Sequence, residues 1–373
     1  MLHKETVDMN RQKKKILFWM LRFLSGALIL GLVLYSFNIG IGGLSSTLRS
    51  AIPCYVGLAA LFFFLAILTG IMAWRILLMP HGISLPMWEI IRLYLVGFFL
   101  NNIIPGGVGG EFFKAYVVSK ATGKVTQSIA SILLVRYLSF LSLIILSTCV
   151  TLSMWSLFDS IGLLRGLLGV IAVLVSLFVI TILIFLYGAK WGSALLMKYT
   201  LGVPLVKLMR DLAHYGKYPG ILGLALFLTM TAPVIEGLAY YCIALSLGQH
   251  LPFLPFLVLI PILTIIYHIP VTVNAFGTQD FALVVFMNGF GVPSSVSLPI
   301  SLIAHGLKII VAALGALSFF SILFHRGVRL PAEEELKAMA EEQQKAEAVG
   351  SAESSTIRDG GLNPPVNTAP ADE

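Results

Sequence analysis

The chain has 373 residues, of which 58% are hydrophobic and only 12% charged, and its mean hydropathy is +0.92. A water-soluble fold has too little interior to hide that much apolar surface, so a soluble enzyme or binding module is excluded. The net charge of +7 does not point to nucleic acid, because the basic residues form short clusters beside apolar blocks and no continuous stripe.

Residues 1–15 are basic, with Arg11, Lys13, Lys14 and Lys15 directly before the first apolar block. The outline is that of a signal peptide, but no small-residue cleavage site follows Tyr35, so an uncleaved first helix is expected. Spanning helices are predicted at about 16–37, 52–78, 126–152, 166–188, 219–246 and 297–324. Each run has roughly the 20 residues that a helix needs to cross about 30 Å of hydrocarbon. Cys54, Cys149 and Cys242 are scattered singly inside these blocks, with no paired spacing and no histidine cluster, so neither a disulfide nor a metal is expected. From residue 331 to 373 the composition turns to Glu, Ala, Gln, Ser and Pro, which reads as an acidic, mostly disordered tail.

Two further apolar stretches, 87–121 and 253–290, are each cut near the middle by a polar segment rich in Gly and Pro. Neither half is comfortably long enough to span, so each reads as a re-entrant helical hairpin. With that topology the basic loop carrying Lys190, Lys198, Lys207, Arg210 and Lys217 lies on the same side as the N-terminal lysines, as do Arg326 and Arg329. The nearly uncharged loops 38–51, 247–252 and 291–296 lie opposite. The positive-inside rule then predicts cytoplasmic termini in the cell (inner) membrane. Span, span, hairpin, span occurs in 16–158 and again in 160–326, starting from the opposite side. The expected fold is therefore an all-α polytopic membrane protein: six spans and two re-entrant hairpins in an inverted repeat, as in many transporters.

The first break reads Asn101, Asn102, Ile103, Ile104, Pro105, Gly106, Gly107, Val108, Gly109, Gly110, Glu111, Phe112, Phe113, Lys114. Pro105 and four glycines stop a helix, and unwound backbone at membrane depth is tolerated only inside protein or beside a watery cavity. Glu111 and Lys114 stand three apart, on one helix face, able to pair with each other or with a polar head group. The plainer reading is a tight loop with a solvated ion pair. The second break, from His268 through Pro270, Asn274 and Gly277 to Asp280, is of the same kind; its plainer reading is a packed turn with Asp280 as a helix N-terminal residue.

Charges inside the spans are costly and should face protein or water. Arg136 is placed where it can either snorkel or line a cavity. Glu236, after Pro233, reads as a cavity residue or a buried neutral acid. Lys308, on one face with His305, needs a nearby acid, either Glu236 or Asp280. The excess of Phe, Trp and Met is assigned to packing and to an aromatic belt.

At these residues the chain resembles the flippase-like family, also called the transmembrane region of lysylphosphatidylglycerol synthases. One family signature is similar to the Asn-x-x-x-Pro-Gly-Gly-x-Gly-Gly-acid run from Asn101 to Glu111, with Lys114 as the following basic residue. Another, Ile-Pro, Gly-x-Gly, then Arg-Glu, resembles the stretch that holds Ile269-Pro270, Ala275-Phe276-Gly277 and Gln279-Asp280. Ala275 thus stands for a glycine, Gln279 for an arginine and Asp280 for a longer acid. A third, weaker match sets Val135-Arg136 where the family tends to have Glu-Arg.

The resemblance implies eight membrane elements and a lipid-flipping role, with no synthase domain of the kind some relatives carry. The expected function is a translocase for a membrane lipid or lipid-linked sugar, without cofactor, using Asn101, Asn102, Pro105, Gly106, Gly107, Gly109, Gly110, Glu111, Lys114, Arg136, Glu236, Pro270, Asn274, Gly277, Asp280 and Lys308. Two alternatives stand beside it. One is a non-transporting partner of a lipid-modifying enzyme or glycosyltransferase; the other is an intramembrane lipid-carrier transferase.

Overall fold

The computed structural model describes residues 24–326 except 27, 38, 105–108, 161, 163, 164, 177, 181–201 and 270. Expectations for the basic residues 1–15, for Pro105, Gly106, Gly107 and Pro270, and for the acidic tail 331–373 lie outside the described residues. Residues 1–319 form one compact unit. A second, from Phe320, is described only over the last turns of the final helix, to Arg326.

The described residues form helices and connections, with no strand among them. In chain order the helices are α1 (Leu24–Ser36), α2 (Ile41–Arg49), α3 (Pro53–Leu78), α4 (Met87–Ile103), α5 (Gly109–Thr122), α6 (Val125–Ser153) and α7 (Trp155–Ser160). They continue with α8 (Arg165–Ile180), α9 (Gly202–His214), α10 (Pro219–Ser246), α11 (Leu254–His268), α12 (Thr278–Gly289) and α13 (Ser294–Arg326). Four are long and apolar enough to cross a membrane: α3 with its 3-10 continuation to His81, α6, α10 and α13. They coincide with four of the expected spans. The other two fall partly outside the described residues, where α1 and α8 account for the described part.

Two stretches read as plain loops contain helices. Within 38–51 lies α2, which is held because Leu44 joins a cluster with Val33, Val284 and Leu298. Within the basic loop before α10 lies α9, whose Leu208 and Leu212, one helical turn apart, pack on Leu77, Ala130 and Tyr215. Short amphipathic helices of this kind lack the long apolar run that marks a span, so hydropathy alone passes over them. Tyr215, in the 3-10 turn after α9, donates its hydroxyl to the Leu77 carbonyl at 2.6 Å. Burial, reinforced by the Asp211 carboxylate, pushes that hydroxyl far above its ordinary pKa, so it remains a donor.

The centre of the first unit is the extensive packing of α3 against α10, where the Phe63 and Tyr240 rings meet edge to face with centroids 5.7 Å apart. Outward faces carry exposed apolar side chains such as Phe227 and Leu317, as expected where the solvent is hydrocarbon. Around this pair stand two sets of short helices. Helix α4 has 17 residues and α5 has 14, about 25 and 21 Å of helix; α11 has 15 and α12 has 12, about 22 and 18 Å. All are shorter than the roughly 30 Å of hydrocarbon that a span must cross.

Glycine makes the α4–α5 pair possible. A Cβ on Gly110 would run into the backbone of Gly97, so the two helices touch main chain to main chain. A similar approach joins α13 to α4, where Gly315 lies against the Leu95 carbonyl.

In the second break the chain turns through three residues with positive φ: Asn274 at 52°, Ala275 at 53° and Gly277 at 83°. Ala275 holds a conformation that its Cβ disfavours by about 1–2 kcal/mol. It is also the residue that stands for a glycine in the family-like pattern. Replacing Ala275 by Gly should relieve that strain, less the roughly 0.5–1 kcal/mol by which glycine favours the unfolded chain. The variant should melt no lower than wild type in a detergent thermal-shift assay, and higher if strain dominates; a clear drop would show that the buried methyl packs better than it strains.

Candidate functional site

A cavity of about 310 Å³ lies within the first unit, lined from α3, α4, α5, α6, α10, α11, α12, α13 and the 3-10 turn Val273–Ala275. On its wall the structure brings together Asn101, Asn102, Glu111, Lys114, Arg136, Glu236, Asn274 and Lys308. These residues come from both breaks and from three of the long helices, so a pattern scattered through the sequence becomes one site.

Glu111 is the hub of one side. Its Oε2 meets Lys114 Nζ at 2.8 Å and its Oε1 meets Arg136 Nη2 at 2.8 Å. The pairing of Glu111 with Lys114 follows from their three-residue spacing at the start of α5; Arg136 reaches the same carboxylate from α6. Asn101 donates to Glu111 Oε1 from 3.4 Å, and its own side-chain oxygen accepts from Gly110 N at 2.7 Å. Asn101 therefore caps α5 from the end of α4 and ties the glycine contact to the carboxylate. Lys114 is almost fully buried, its ammonium held over the rings of Tyr94 at 4.6 Å and Trp74 at 5.1 Å.

The second break meets the first at this point. Tyr267 donates its hydroxyl to the Asn101 carbonyl at 2.9 Å, and His268 Nε2 lies 3.1 Å from Arg136 Nη1. His268 Nδ1 is 2.7 Å from the Thr264 carbonyl. A carbonyl only accepts, so Nδ1 carries the proton and Nε2 receives the guanidinium N–H, which defines a neutral imidazole.

Across the cavity Lys308 Nζ pairs with Glu236 Oε1 at 2.8 Å and donates to the Tyr240 hydroxyl from 3.4 Å. Its ammonium also sits over the Phe63 ring at 5.3 Å. Of the two acids open to Lys308 in the sequence, Glu236 is the partner. Asp280 is engaged elsewhere: its Oδ2 accepts from Gly277 N at 2.7 Å, and its Oδ1 accepts from the Ser301 hydroxyl and faces His305 Nε2 at 3.3 Å.

Asp280 is fully buried and does not line the cavity, whereas His305, its partner, does. Its place is that of a helix N-terminal residue, the plainer of its two sequence readings. Gly109, Gly110 and Gly277 are likewise off the wall. Gly110 sets the α4–α5 contact, and a Cβ on Gly277 would stand 2.8 Å from the Gly26 carbonyl of α1.

Trp74, Tyr94, Tyr267, His268 and Gln279 also line the cavity; sequence reasoning named His268 and Gln279 only as parts of the second break and passed over the other three. Trp74 was absorbed into packing and belt, and Tyr94 and Tyr267 were given no role. The signal available was weak: an aromatic within reach of an unexplained intramembrane cation is a candidate ring for it.

On the opposite face of α11 lies another cavity of about 500 Å³, lined by apolar residues that include Ile262, Ile266, Ile269, Phe281, Val285 and Phe286. Helix α11 thus turns Leu263, Thr264, Tyr267 and His268 to the charged cavity and Ile262 and Ile266 to the apolar one. Among the described residues no cluster of His, Cys, Asp and Glu is arranged to hold a metal ion.

Helices of membrane-crossing length around an internal cavity of paired charges define a polytopic helical membrane protein with a charged internal cavity. The chain belongs to the family described as the lysylphosphatidylglycerol synthase TM region, which matches residues 20–315. It is also similar to a "UPF0104 membrane protein" of Methanothermobacter thermautotrophicus, 24% identical over 281 residues that cover 69% of this chain and 82% of that relative.

Proposed function

We propose that the chain is a translocase for a membrane lipid or lipid-linked sugar, whose polar head group passes through the charged cavity while its chains stay in hydrocarbon. The observation that carries this reading is the convergence of Glu111, Lys114, Arg136, Glu236 and Lys308 on one cavity inside the helix bundle. Intramembrane charges of this kind are expensive and mark pathways for polar cargo. The apolar cavity on the other face of α11 supports the lipid part of the reading, since it is suited to hydrocarbon.

Alternating access would come from an inverted repeat, 16–158 and 160–326, with α4–α5 and α11–α12 as re-entrant hairpins. The packing supports it by its reciprocity: α6 packs on α11, while α13 meets α4 and α5 through Gly315 with Leu95 and through Phe319 with Phe113. The Tyr267–Asn101 and His268–Arg136 contacts bridge the two halves, and would open when the cavity changes sides. In the orientation set by the basic loops both termini are cytoplasmic.

Reconstituted into liposomes, the protein should move fluorescent phospholipid between leaflets. Arg136→Ala and Glu236→Gln should each lower the rate at least tenfold, while both variants are still purified folded. Wild-type rates in both would overturn the proposal.

A further inference from the structure

Asp280 and His305 form a buried cluster for which the passage of a head group has no use. The carboxylate is fully buried and faces three groups. Its Oδ2 accepts from Gly277 N at 2.7 Å, while its Oδ1 accepts from the Ser301 hydroxyl and lies 3.3 Å from His305 Nε2. Among the described residues His305 is the ionisable group in contact with Asp280.

His305 also reaches the cavity: its ring is part of the wall, and Asp280 stands behind it. An imidazole can take a proton on one nitrogen and hold it against a carboxylate with the other, so this placement joins the cavity to the buried acid. His268, the other imidazole on the wall, is not placed for that part. Its Nδ1 donates to the Thr264 carbonyl and its Nε2 receives an N–H of Arg136.

The surrounding charges are engaged elsewhere. Lys308, three residues further along α13, pairs with Glu236 of α10 at 2.8 Å. Tyr240 of α10, within electrostatic reach of Asp280, receives a Lys308 N–H at 3.4 Å. On the rest of the wall Glu111 and Lys114 of α5 pair with each other, and Arg136 of α6 pairs with the same glutamate. Helix α12 holds no ionisable residue besides Asp280. Without an added proton the cluster is a carboxylate beside a neutral imidazole, one negative charge in a packed interior. One proton on the imidazole brings it to zero, and a packed interior favours that state.

We propose that Asp280 and His305 are a proton-binding site, reached from the cavity through His305, and that its occupancy controls the second break. The proton comes from bulk water by way of the cavity, settles on the ring nitrogen of His305 that does not face Asp280, and leaves by the same path; no other bond forms or breaks. The control is exerted through Gly277. Asp280 holds its N–H, and a Cβ on Gly277 would stand 2.8 Å from the Gly26 carbonyl, so the carboxylate fixes the turn that lies against α1. The proton-bound pair favours this packed turn. The unprotonated pair favours withdrawal of the α12 N-terminus toward water, so by linkage unpacking releases a proton. That lipid exchange is thereby coupled to protons rests on the translocase reading; the site itself does not.

The test is solid-state NMR of the histidine-labelled full chain in liposomes, titrated from about pH 5 to about pH 8, with the His305 signal assigned by its loss in His305→Gln. His305 should carry two protons at the acid end and lose one as the pH rises. Asp280→Asn keeps an acceptor for Gly277 N but no charge, and should weaken proton binding at His305 at least tenfold. Deuterium exchange of the first-turn amides of α12 should accelerate with pH more steeply in wild type than in Asp280→Asn.

A His305 that stays neutral over the whole range overturns the site, and wild type decides this even if a variant fails to fold. Equal proton affinity in Asp280→Asn overturns the pairing, and equal acceleration of amide exchange overturns the control of the second break. Lipid exchange under an imposed pH gradient keeps the two readings apart. A titrating pair in a protein that exchanges no lipid removes the translocase and leaves the proton site. Exchange that ignores the gradient leaves the translocase and overturns the coupling.

Discussion

Glu111→Gln is expected to be among the most damaging single changes in the cavity. Glu111 neutralises Lys114 and takes part of the charge of Arg136, both at 2.8 Å. Its removal takes the carboxylate away from Lys114, which is 7% exposed, and makes the wall more positive by one charge. Removing one partner of a buried ion pair costs about 3–5 kcal/mol because the other charge is stranded. Glu111 retains 18% exposure, which places the loss near the lower figure.

The purified variant should melt well below wild type and lose lipid exchange. Adding Lys114→Met should restore most of the melting temperature, because the double variant has the same net charge as wild type and no stranded ammonium. Recovery in the double variant is the signature of coupling between the two side chains. If Glu111→Gln melts like wild type, the carboxylate is not the hub that its geometry makes it.

Gly110→Val should be comparably severe through packing rather than charge. The added side chain would begin inside the Gly97 backbone, and neither partner is a flexible side chain able to swing away, so α4 and α5 must separate. Overpacking of a close contact costs about 1–3 kcal/mol. Here the displacement also reaches the site, because Gly110 N donates to Asn101, Asn101 donates to Glu111, and the Asn101 carbonyl receives Tyr267.

Stability and head-group binding should therefore fall together. A control separates this from a general intolerance of larger residues. Gly57 in α3 has nothing within 4 Å of a built Cβ, so Gly57→Ala should melt at or above wild type, alanine being the better helix former by about 1 kcal/mol. Wild-type melting of Gly110→Val would mean that the α4–α5 contact is slack.

Much of the molecule is legible from local pattern. Apolar runs of 26 to 33 residues became α3, α6, α10 and α13, because a helix that must satisfy its own backbone in lipid is specified by length and hydropathy alone. The breaks were legible for the converse reason, since Pro105 with the glycines after it, and Pro270 with Gly277, are residues through which an apolar helix is not expected to run on. The ion pair of Glu111 with Lys114 follows from three-residue spacing. The α2 and α9 helices were missed, since a short amphipathic segment between spans is specified by the surface it packs on and not by a long apolar run.

What the sequence by itself determined is the class of protein, the long apolar helices, the two interruptions and the residues of one ion pair, all of them consequences of spacing along a single chain segment. Tertiary packing alone decided which charges share a cavity. Arg136 and His268 are 132 residues apart, and Lys308 and Tyr240 are 68 apart, distances over which no helical period speaks. Packing also put Asp280 behind the wall, where Ser301, His305 and Gly277 N satisfy it, and set Trp74, read as packing or belt, together with Tyr94 against the ammonium of Lys114. The physical reason is that a buried charge is stable only beside partners that compensate it, and those partners are supplied by whichever helices the packing brings together.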